Sequence, residues 1–139
     1  DHYAAGARRL VVDLKGWRVC PLICYDLRFP VWSRSRDDYD LLLYVANWPQ
    51  RRAHAWSTLL KARAIENLCY VAGVNRIGKD GNGATYAGDS VALDFLGQPL
   101  SSEGGGDRVE TAVLDLESLR SYRASFPAHL DADRFELLA

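Results

Sequence analysis

The sequence predicts an α/β fold in which helices cover one side of a sheet. Residues 41–46 form a continuous apolar run, which is too short for a typical helix and typical of a strand covered on both faces. Residues 53–68 instead repeat apolar side chains on one helical face. Because such segments alternate along the chain with mostly short connections, and no repeat or linker divides them, we predict one layered unit.

The first elements are predicted to be a hairpin and a short helix. Residues 8–13 and 17–24 are the two strands of the hairpin, around a Lys-Gly turn. Pro21 cannot donate to a sheet ladder, so it should lie at an edge or a bulge, or its nitrogen should face away from a neighbour. Residues 29–34 follow as a short helix with a proline in its first turn.

The helix predicted at residues 53–68 carries a carboxylate, Glu66, which could be proposed as a general base. We favour a structural role, in which Glu66 meets a nearby cation such as Arg63 or Arg76. The apolar face of this helix comprises Trp56, Leu59, Leu60, Ala64 and Leu68, whereas Arg52, Lys61 and Arg63 lie largely away from it.

The C-terminal part is predicted to continue the sheet and then to form a helix. The glycine-rich residues 78–83 lack the spacing of a phosphate-binding loop and are predicted to connect a hairpin. Apolar residues of the tail, notably Phe135, Leu137 and Leu138, have no predicted partner. The other elements are strands at residues 69–77, 90–95 and 109–116 and a helix at residues 117–126, which Pro127 ends.

Composition excludes several classes of function. The 139 residues carry 17 Lys plus Arg against 18 Asp plus Glu, so no strong field favours nucleic acid or a membrane surface. No apolar run approaches the length needed to cross a bilayer. The three cysteines have no framework spacing, which indicates free thiols in a reducing, cytoplasmic compartment. No CxxC or paired histidine accompanies them, so we predict no metal site.

Cys24 is the predicted nucleophile. It ends an apolar strand and is followed by polar residues, so a rigid backbone would hold the sulfur at an open turn. The short helix at residues 29–34 would begin close to it, where a helix N-terminus favours a thiolate. Cys20 lies within the strand and Cys69 at the start of another, which predicts inert buried thiols.

Four blocks of the sequence resemble the nitrilase, or carbon-nitrogen hydrolase, superfamily, and within it the omega-amidase branch. They are residues 23–30 (ICYDLRFP), 44–49 (YVANWP), 62–67 (ARAIEN) and 70–76 (YVAGVNR). The resemblance implies a four-layer α-β-β-α sandwich, of which residues 1–139 would be the C-terminal portion of an N-terminally truncated carbon-nitrogen hydrolase domain. It also implies a homodimer.

The resemblance further implies a Glu-Lys-Cys catalytic set, of which only the cysteine block is present here. Cys24 would attack an amide such as 2-oxoglutaramate, release ammonia and leave a thioester for water to cleave, without metal or organic cofactor. The backbone N–H of Tyr25 would be one oxyanion donor. Because Glu and Lys would precede Asp1, we expect residues 1–139 alone to be inactive.

Three other residues are candidates for substrate binding. Arg28 could clamp a carboxylate of the substrate, or it could pair with Asp26 or Asp40 for structure. Asn47 and Trp48 end the strand at residues 41–46, where ligands sit in layered α/β folds, although they could merely cap a turn and pack.

Two alternatives stay open at this point. Asp26 is predicted to bind backbone N–H groups beyond Cys24 rather than to act as an acid or base. The chain as a whole is predicted to be an amidase, or else a non-catalytic remnant that keeps the fold and acts through binding or oligomerisation.

Overall fold

The structure is a computed structural model that describes residue 6, residues 8–101 and residues 106–135. Its helices are α1 (Pro30–Ser33), α2 (Ala53–Asn67) and α3 (Leu116–Ser125), with three short 3₁₀ helices at Cys24–Arg28, Gln50–Arg52 and Ala128–Asp131. Its strands are β1 (Val12–Leu14), β2 (Trp17–Ile23), β3 (Leu41–Ala46), β4 (Tyr70–Asn75), β5 (Ile77–Lys79), β6 (Thr85–Ala87) and β7 (Val91–Leu93). The predicted mixture of helices and strands is confirmed.

Five strands form one sheet in the order β1-β2-β3-β4-β7. The three inner strands, β2 to β4, are parallel, and an antiparallel strand borders them on each side. The predicted central strand is therefore confirmed as β3. The predicted hairpin of β1 and β2 is also present but short, because its pairing ends at Val12 opposite Val19. Pro21 lies beyond that point and pairs only with β3, so its missing N–H leaves no ladder bond unmade on the β1 side.

One face of the sheet packs against α2 and forms the core. The register places Cys20 beside Leu42, and Leu22 beside Tyr44, and all four side chains are buried. Trp56 and Leu60 of α2, both fully buried, cover this face. The apolar stripe predicted on the helix therefore points to the sheet, and burial of apolar surface holds the two layers together.

The second face of the sheet is also apolar but more open at its carboxyl end. Ile23, Val45 and Val74 stand side by side across β2, β3 and β4, with exposed fractions of 67%, 49% and 53%. At the other end of this face, Tyr70 packs against Phe95, which stacks on Tyr122 of α3. Within the described residues, helix α2 thus covers one face, as the sequence predicts.

Helix α3 is anchored at the amino-terminal edge of the sheet by Arg123. Its guanidinium donates to the carbonyl oxygens of Leu68 (2.8 Å) and Tyr39 (2.7 Å) and pairs with the Asp40 carboxylate (2.9 Å). Burial of Asp40 opposes its ionisation, but hydrogen bonds and charge from Arg18, with the charge of Arg123, hold its pKa below the ordinary value. The buried ion pairs fix α3 against the starts of β3 and β4.

Two predictions about the C-terminal part need correction. Residues 109–115 form no strand, and Val109 and Val113 are almost fully exposed. The free edge of β7 is instead occupied by Pro99, which bridges to Leu93, and by the residues after it. The tail prediction is wrong for Phe135, whose half-exposed ring lies under the Arg34 guanidinium. The predictions for Leu137 and Leu138 concern residues outside the described part of the chain.

Candidate active site

The predicted site residues meet at the carboxyl ends of the parallel strands. Ile23 of β2 pairs with Val45 of β3, which in turn pairs with Val74 of β4. The residues that follow these three are Cys24, Ala46 and Asn75, so the thiol and two neighbouring strand ends share one edge. Ligands of parallel α/β sheets bind at this edge, beyond the strands.

The sequence predicts that Cys24 ends strand β2, but β2 ends at Ile23. Cys24 instead begins a 3₁₀ helix at Cys24–Arg28, called here the Cys24 turn. Its φ is +40°, a left-handed conformation that is uncommon for a residue with a side chain. Helix α1 begins only at Pro30, so the helical segment nearest the thiol starts at Cys24 itself. Strained backbone of this kind persists only where the surrounding structure fixes it.

Two side chains bind the Cys24 turn at its two ends. The Asp26 carboxylate accepts a hydrogen bond from the backbone N–H of Ile23 at 2.9 Å. Asp26 therefore has the predicted role in backbone binding, but it binds the residue before Cys24 rather than residues beyond it. At the far end, Nη2 of Arg63 donates to the carbonyl oxygen of Leu27 at 2.6 Å.

The three cysteines differ sharply in exposure. Cys20 and Cys69 are fully buried, whereas Cys24 is partly exposed. Burial raises the pKa of the Cys20 thiol to about 11 and also raises the pKa of the Cys69 thiol. A buried thiol with a raised pKa is a poor nucleophile at neutral pH, so the geometry leaves Cys24 as the thiol best placed to react.

Arg28 is the last residue of the Cys24 turn. Its guanidinium lies over the ring of Trp48, and its Cζ is 4.9 Å from the ring centroid. The alternative pairing with Asp40 is not made, because that carboxylate binds Arg18 and Arg123 instead. Trp48 is 3% exposed, packs on Trp56 and donates from Nε1 to a backbone carbonyl. Trp48 is thus a core residue whose ring also supports Arg28, while Asn47 beside it is exposed.

Asn75 is a site residue that sequence reasoning missed. Its Oδ1 accepts from the Trp48 N–H at 2.7 Å, and its Nδ2 donates to the Trp48 carbonyl (3.0 Å) and the Gly88 carbonyl (2.9 Å). One buried amide therefore fixes both backbone groups of Trp48. The sequence does contain a signal for Asn75, because the residue follows a predicted strand, as Asn-Trp-Pro follows another. The sequence does not show, however, that these two strands are neighbours in the sheet.

No described Glu or Lys completes a catalytic set beside Cys24. Glu66 pairs with Arg63 at 2.9 Å, which confirms its predicted structural role. Arg63 itself, predicted to point away from the core, is 2% exposed, so that prediction was wrong. Lys15 lies at the opposite end of β2, Lys61 on α2 and Lys79 on strand β5. Among the residues that the structure describes, no cluster of three or more His, Cys, Asp or Glu side chains could hold a metal ion.

The described helices are all too short or too polar to cross a membrane.

A mixed sheet with parallel inner strands and a partly exposed thiol at their carboxyl edge places the chain among α/β proteins. The sequence model of the family described as "Carbon-nitrogen hydrolase" matches residues 2–124. The chain therefore belongs to the carbon-nitrogen hydrolase family, and the predicted resemblance to the nitrilase superfamily is confirmed.

Individual relatives refine the position within the family. An omega-amidase YafV of Yersinia enterocolitica is 57% identical over 138 residues, which are 99% of this chain and 54% of that protein. A 2-oxoglutaramate amidase of Bacillus subtilis is 36% identical over 94% of this chain and 51% of its own length. The chain spans about half the length of these relatives, and the predicted likeness to the omega-amidase branch is confirmed.

Solved structures confirm the nitrilase-like fold. The crystal structure of XC1258 from Xanthomonas campestris, a CN-hydrolase superfamily protein with an arsenic adduct in its active site, superposes with a TM-score of 0.93 at 55% identity. It matches 97% of this chain and 54% of that one. An amidase from Nesterenkonia, whose active-site cysteine carries a Michael adduct of acrylamide, has a TM-score of 0.74 at 28% identity, over 90% of this chain and 50% of that one.

Proposed function

We propose that this chain carries the nucleophile of an omega-amidase, which hydrolyses the terminal amide of a small carboxylic acid such as 2-oxoglutaramate. The observation that carries the proposal is Cys24, a partly exposed thiol at the carboxyl edge of the sheet in a strained turn. The relatives described as omega-amidase and 2-oxoglutaramate amidase support this substrate class.

In the proposed reaction the Cys24 sulfur attacks the amide carbonyl carbon, and the carbonyl electrons move onto oxygen. The N–H of Tyr25 has no acceptor within its own helix, because it is among the first N–H groups, and it is proposed to donate to that oxygen. Collapse of the tetrahedral intermediate breaks the C–N bond, and the leaving NH2 group takes up the thiol proton and departs as ammonia. Water then adds to the thioester, and the C–S bond breaks to give the carboxylate and the free thiol.

Proton transfer and charge stabilisation need two further groups, which the family resemblance assigns to a Glu base and a Lys. Among the described residues, each Lys lies on an element away from the thiol and Glu66 is held by Arg63, so we propose none of them for these roles. The match of an omega-amidase to 99% of this chain lends no support to the expected inactivity of residues 1–139 alone. The proposed reaction needs no metal or organic cofactor.

Arg28 is the proposed ligand of the substrate carboxylate. Its guanidinium lies over the Trp48 ring, and its N–H groups are proposed to make a two-point contact with a carboxylate. Contact with a buried ring also limits the movement of the long side chain before substrate arrives. Asn47, exposed at the same strand end, is the proposed polar contact to the rest of the substrate.

Two further parts of the proposal concern the setting of the enzyme. The free Cys20, Cys24 and Cys69 are in keeping with a reducing, cytoplasmic compartment. A homodimer remains proposed from the family resemblance.

The test uses the complete protein that contains this chain and measures ammonia release from 2-oxoglutaramate. Cys24→Ala should abolish release. Arg28→Ala should raise KM for carboxylate-bearing amides more than for neutral amides of equal length, whereas Arg120→Ala, an exposed arginine on α3, should change neither. Activity that persists in Cys24→Ala would refute the nucleophile, and a wild-type protein without activity would favour a non-catalytic remnant.

A further inference from the structure

Arg63 presents an unusual arrangement, because a charged side chain is buried where an apolar one would pack. Its side chain is 3% exposed and lies in the C-terminal half of α2, on the face that also buries Trp56 and Leu60. Removing a guanidinium from water is unfavourable unless its partners replace the lost hydration. Its Nε has no hydrogen-bond partner among the described residues. Stability alone does not account for an arginine at this position.

The two contacts that Arg63 makes with its end nitrogens point to the Cys24 turn. Nη2 donates to the carbonyl oxygen of Leu27, and Nη1 donates to the Glu66 carboxylate at 2.9 Å. Leu27 is fully buried and lies three residues after Cys24 in the same 3₁₀ helix. Glu66 holds the guanidinium from the other side, so the arginine connects helix α2 rigidly to the turn.

The backbone conformation of Cys24 explains why such a connection is needed. At φ +40° the residue occupies a left-handed region that is unfavourable for a residue with a side chain, and a free turn would relax out of it. Asp26 holds the start of the turn through Ile23, and Arg63 holds its end through Leu27. The strain at Cys24 is thus locked between two bonded points.

We propose that Arg63 is a positioning residue for catalysis, which keeps the Cys24 sulfur in its attacking orientation by binding the Leu27 carbonyl. The arginine does not touch the substrate and acts only through the turn. This inference rests on the proposed function, because it assigns Arg63 to the reaction of Cys24. Its structural part, that Arg63 orders the turn, stands on the contacts of the described residues alone.

The experiment compares the complete protein with its variants Arg63→Met and Arg63→Lys. Two experiments are made on each protein. Steady-state kinetics give kcat and KM for 2-oxoglutaramate, and hydrogen exchange compares the backbone amides of residues 25–28 with those of β3 and β4. Methionine keeps a long buried stem but donates nothing, whereas lysine has one ammonium that must serve two acceptors. The Arg120→Ala protein is the control for an arginine lost elsewhere.

Arg63→Met should lower kcat by about 100-fold, since a displacement of about 1 Å at the reacting atom has that effect. Amides of the turn should exchange at least about tenfold faster, while those of β3 and β4 keep their protection. The kcat and the amide exchange rates of Arg63→Lys should lie between those of the wild-type protein and those of Arg63→Met. Should Arg63→Met not fold, the lysine variant decides alone, and wild-type values of both quantities in it would overturn the proposal.

Two results in Arg63→Met would also overturn it. One is an unchanged kcat with unchanged exchange in the turn, and the other is faster exchange spread evenly over β3, β4 and the turn, which would mark a purely structural residue. Failure of the proposed function gives a different pattern. In that case the wild-type protein releases no ammonia, and exchange in the turn still shows whether Arg63 orders it.

Discussion

Gly73 of β4 leaves no room for a side chain beneath helix α2. A Cβ built at this position would lie 2.5 Å from Cδ1 of Leu60 and 2.9 Å from Cζ2 of Trp56. Carbon atoms in ordinary contact are about 3.5–4.0 Å apart, so both buried side chains must move by about 1 Å to admit a methyl group. We expect Gly73→Ala to lower the free energy of unfolding by about 1–3 kcal/mol, the usual cost of overpacking a core.

The clash with Leu60 can be tested by removing Leu60. Leu60→Ala alone should cost about 2–5 kcal/mol, because it leaves a cavity above Gly73. In that background the methyl group of Gly73→Ala enters the cavity, so the added cost should fall to less than half of its wild-type value. Urea unfolding of the four proteins, followed by circular dichroism, gives the interaction energy.

Gly81 provides the matched control, since a Cβ there would meet nothing within 4 Å. Gly81→Ala should change the free energy of unfolding by less than about 0.5 kcal/mol. The reasoning is refuted if Gly73→Ala is as harmless as Gly81→Ala, or if it costs the same with and without Leu60.

Three further predictions concern the three thiols, His129 of the 3₁₀ helix at Ala128–Asp131, and Asn75. Brief alkylation of the folded protein should label Cys24 before the two buried thiols, and mass spectrometry that finds another cysteine labelled first would contradict the assignment. Burial and the charge of Arg123 lower the pKa of His129. The neutral imidazole is therefore accommodated without penalty above about pH 6.5, and stability is lost as pH falls from there through the lowered pKa. The midpoint of urea unfolding should accordingly fall less between pH 7.5 and pH 5 in His129→Gln than in the wild-type protein. Asn75→Ala leaves buried backbone groups of Trp48 unpaired and should lower the free energy of unfolding in urea by about 1–3 kcal/mol. It should also raise KM for carboxylate-bearing amides, and an unchanged KM would show that Asn75 contributes only to stability.

Only some features of the candidate site could be predicted from the order of residues in the sequence. Cys24 and Arg28 could be selected from the sequence as candidates because a thiol after an apolar strand and a cation four residues later are visible in the order of residues. The contact of Arg28 with Trp48 joins the ends of two strands, and only the register of β2 against β3 brings them together. The same holds for Asn75, whose partner Trp48 is 27 residues away.

The errors have a common origin as well. Residues 109–115 contain the β-branched Val109, Thr111 and Val113, which favour a strand, but the residues after Gly97 take the place beside β7 that a further strand would need. Arg63 has the chemistry of a surface residue, yet its carbonyl partner at Leu27 makes burial possible. Competition for a sheet edge and pairing of a buried charge are properties of the packed molecule.

The sequence by itself determined the α/β class, the central strand β3, the helix α2 and the structural role of Glu66, because periodicity, chain order and spacing of three or four residues are local properties. It also made Cys24 the candidate nucleophile. Tertiary structure alone decided the left-handed backbone at Cys24, the burial of Arg63 and the hydrogen bonds between Asn75 and Trp48. Each of these depends on groups far apart in the chain, and their free energies are favourable only when the sheet register and the packing of α2 hold both partners in place.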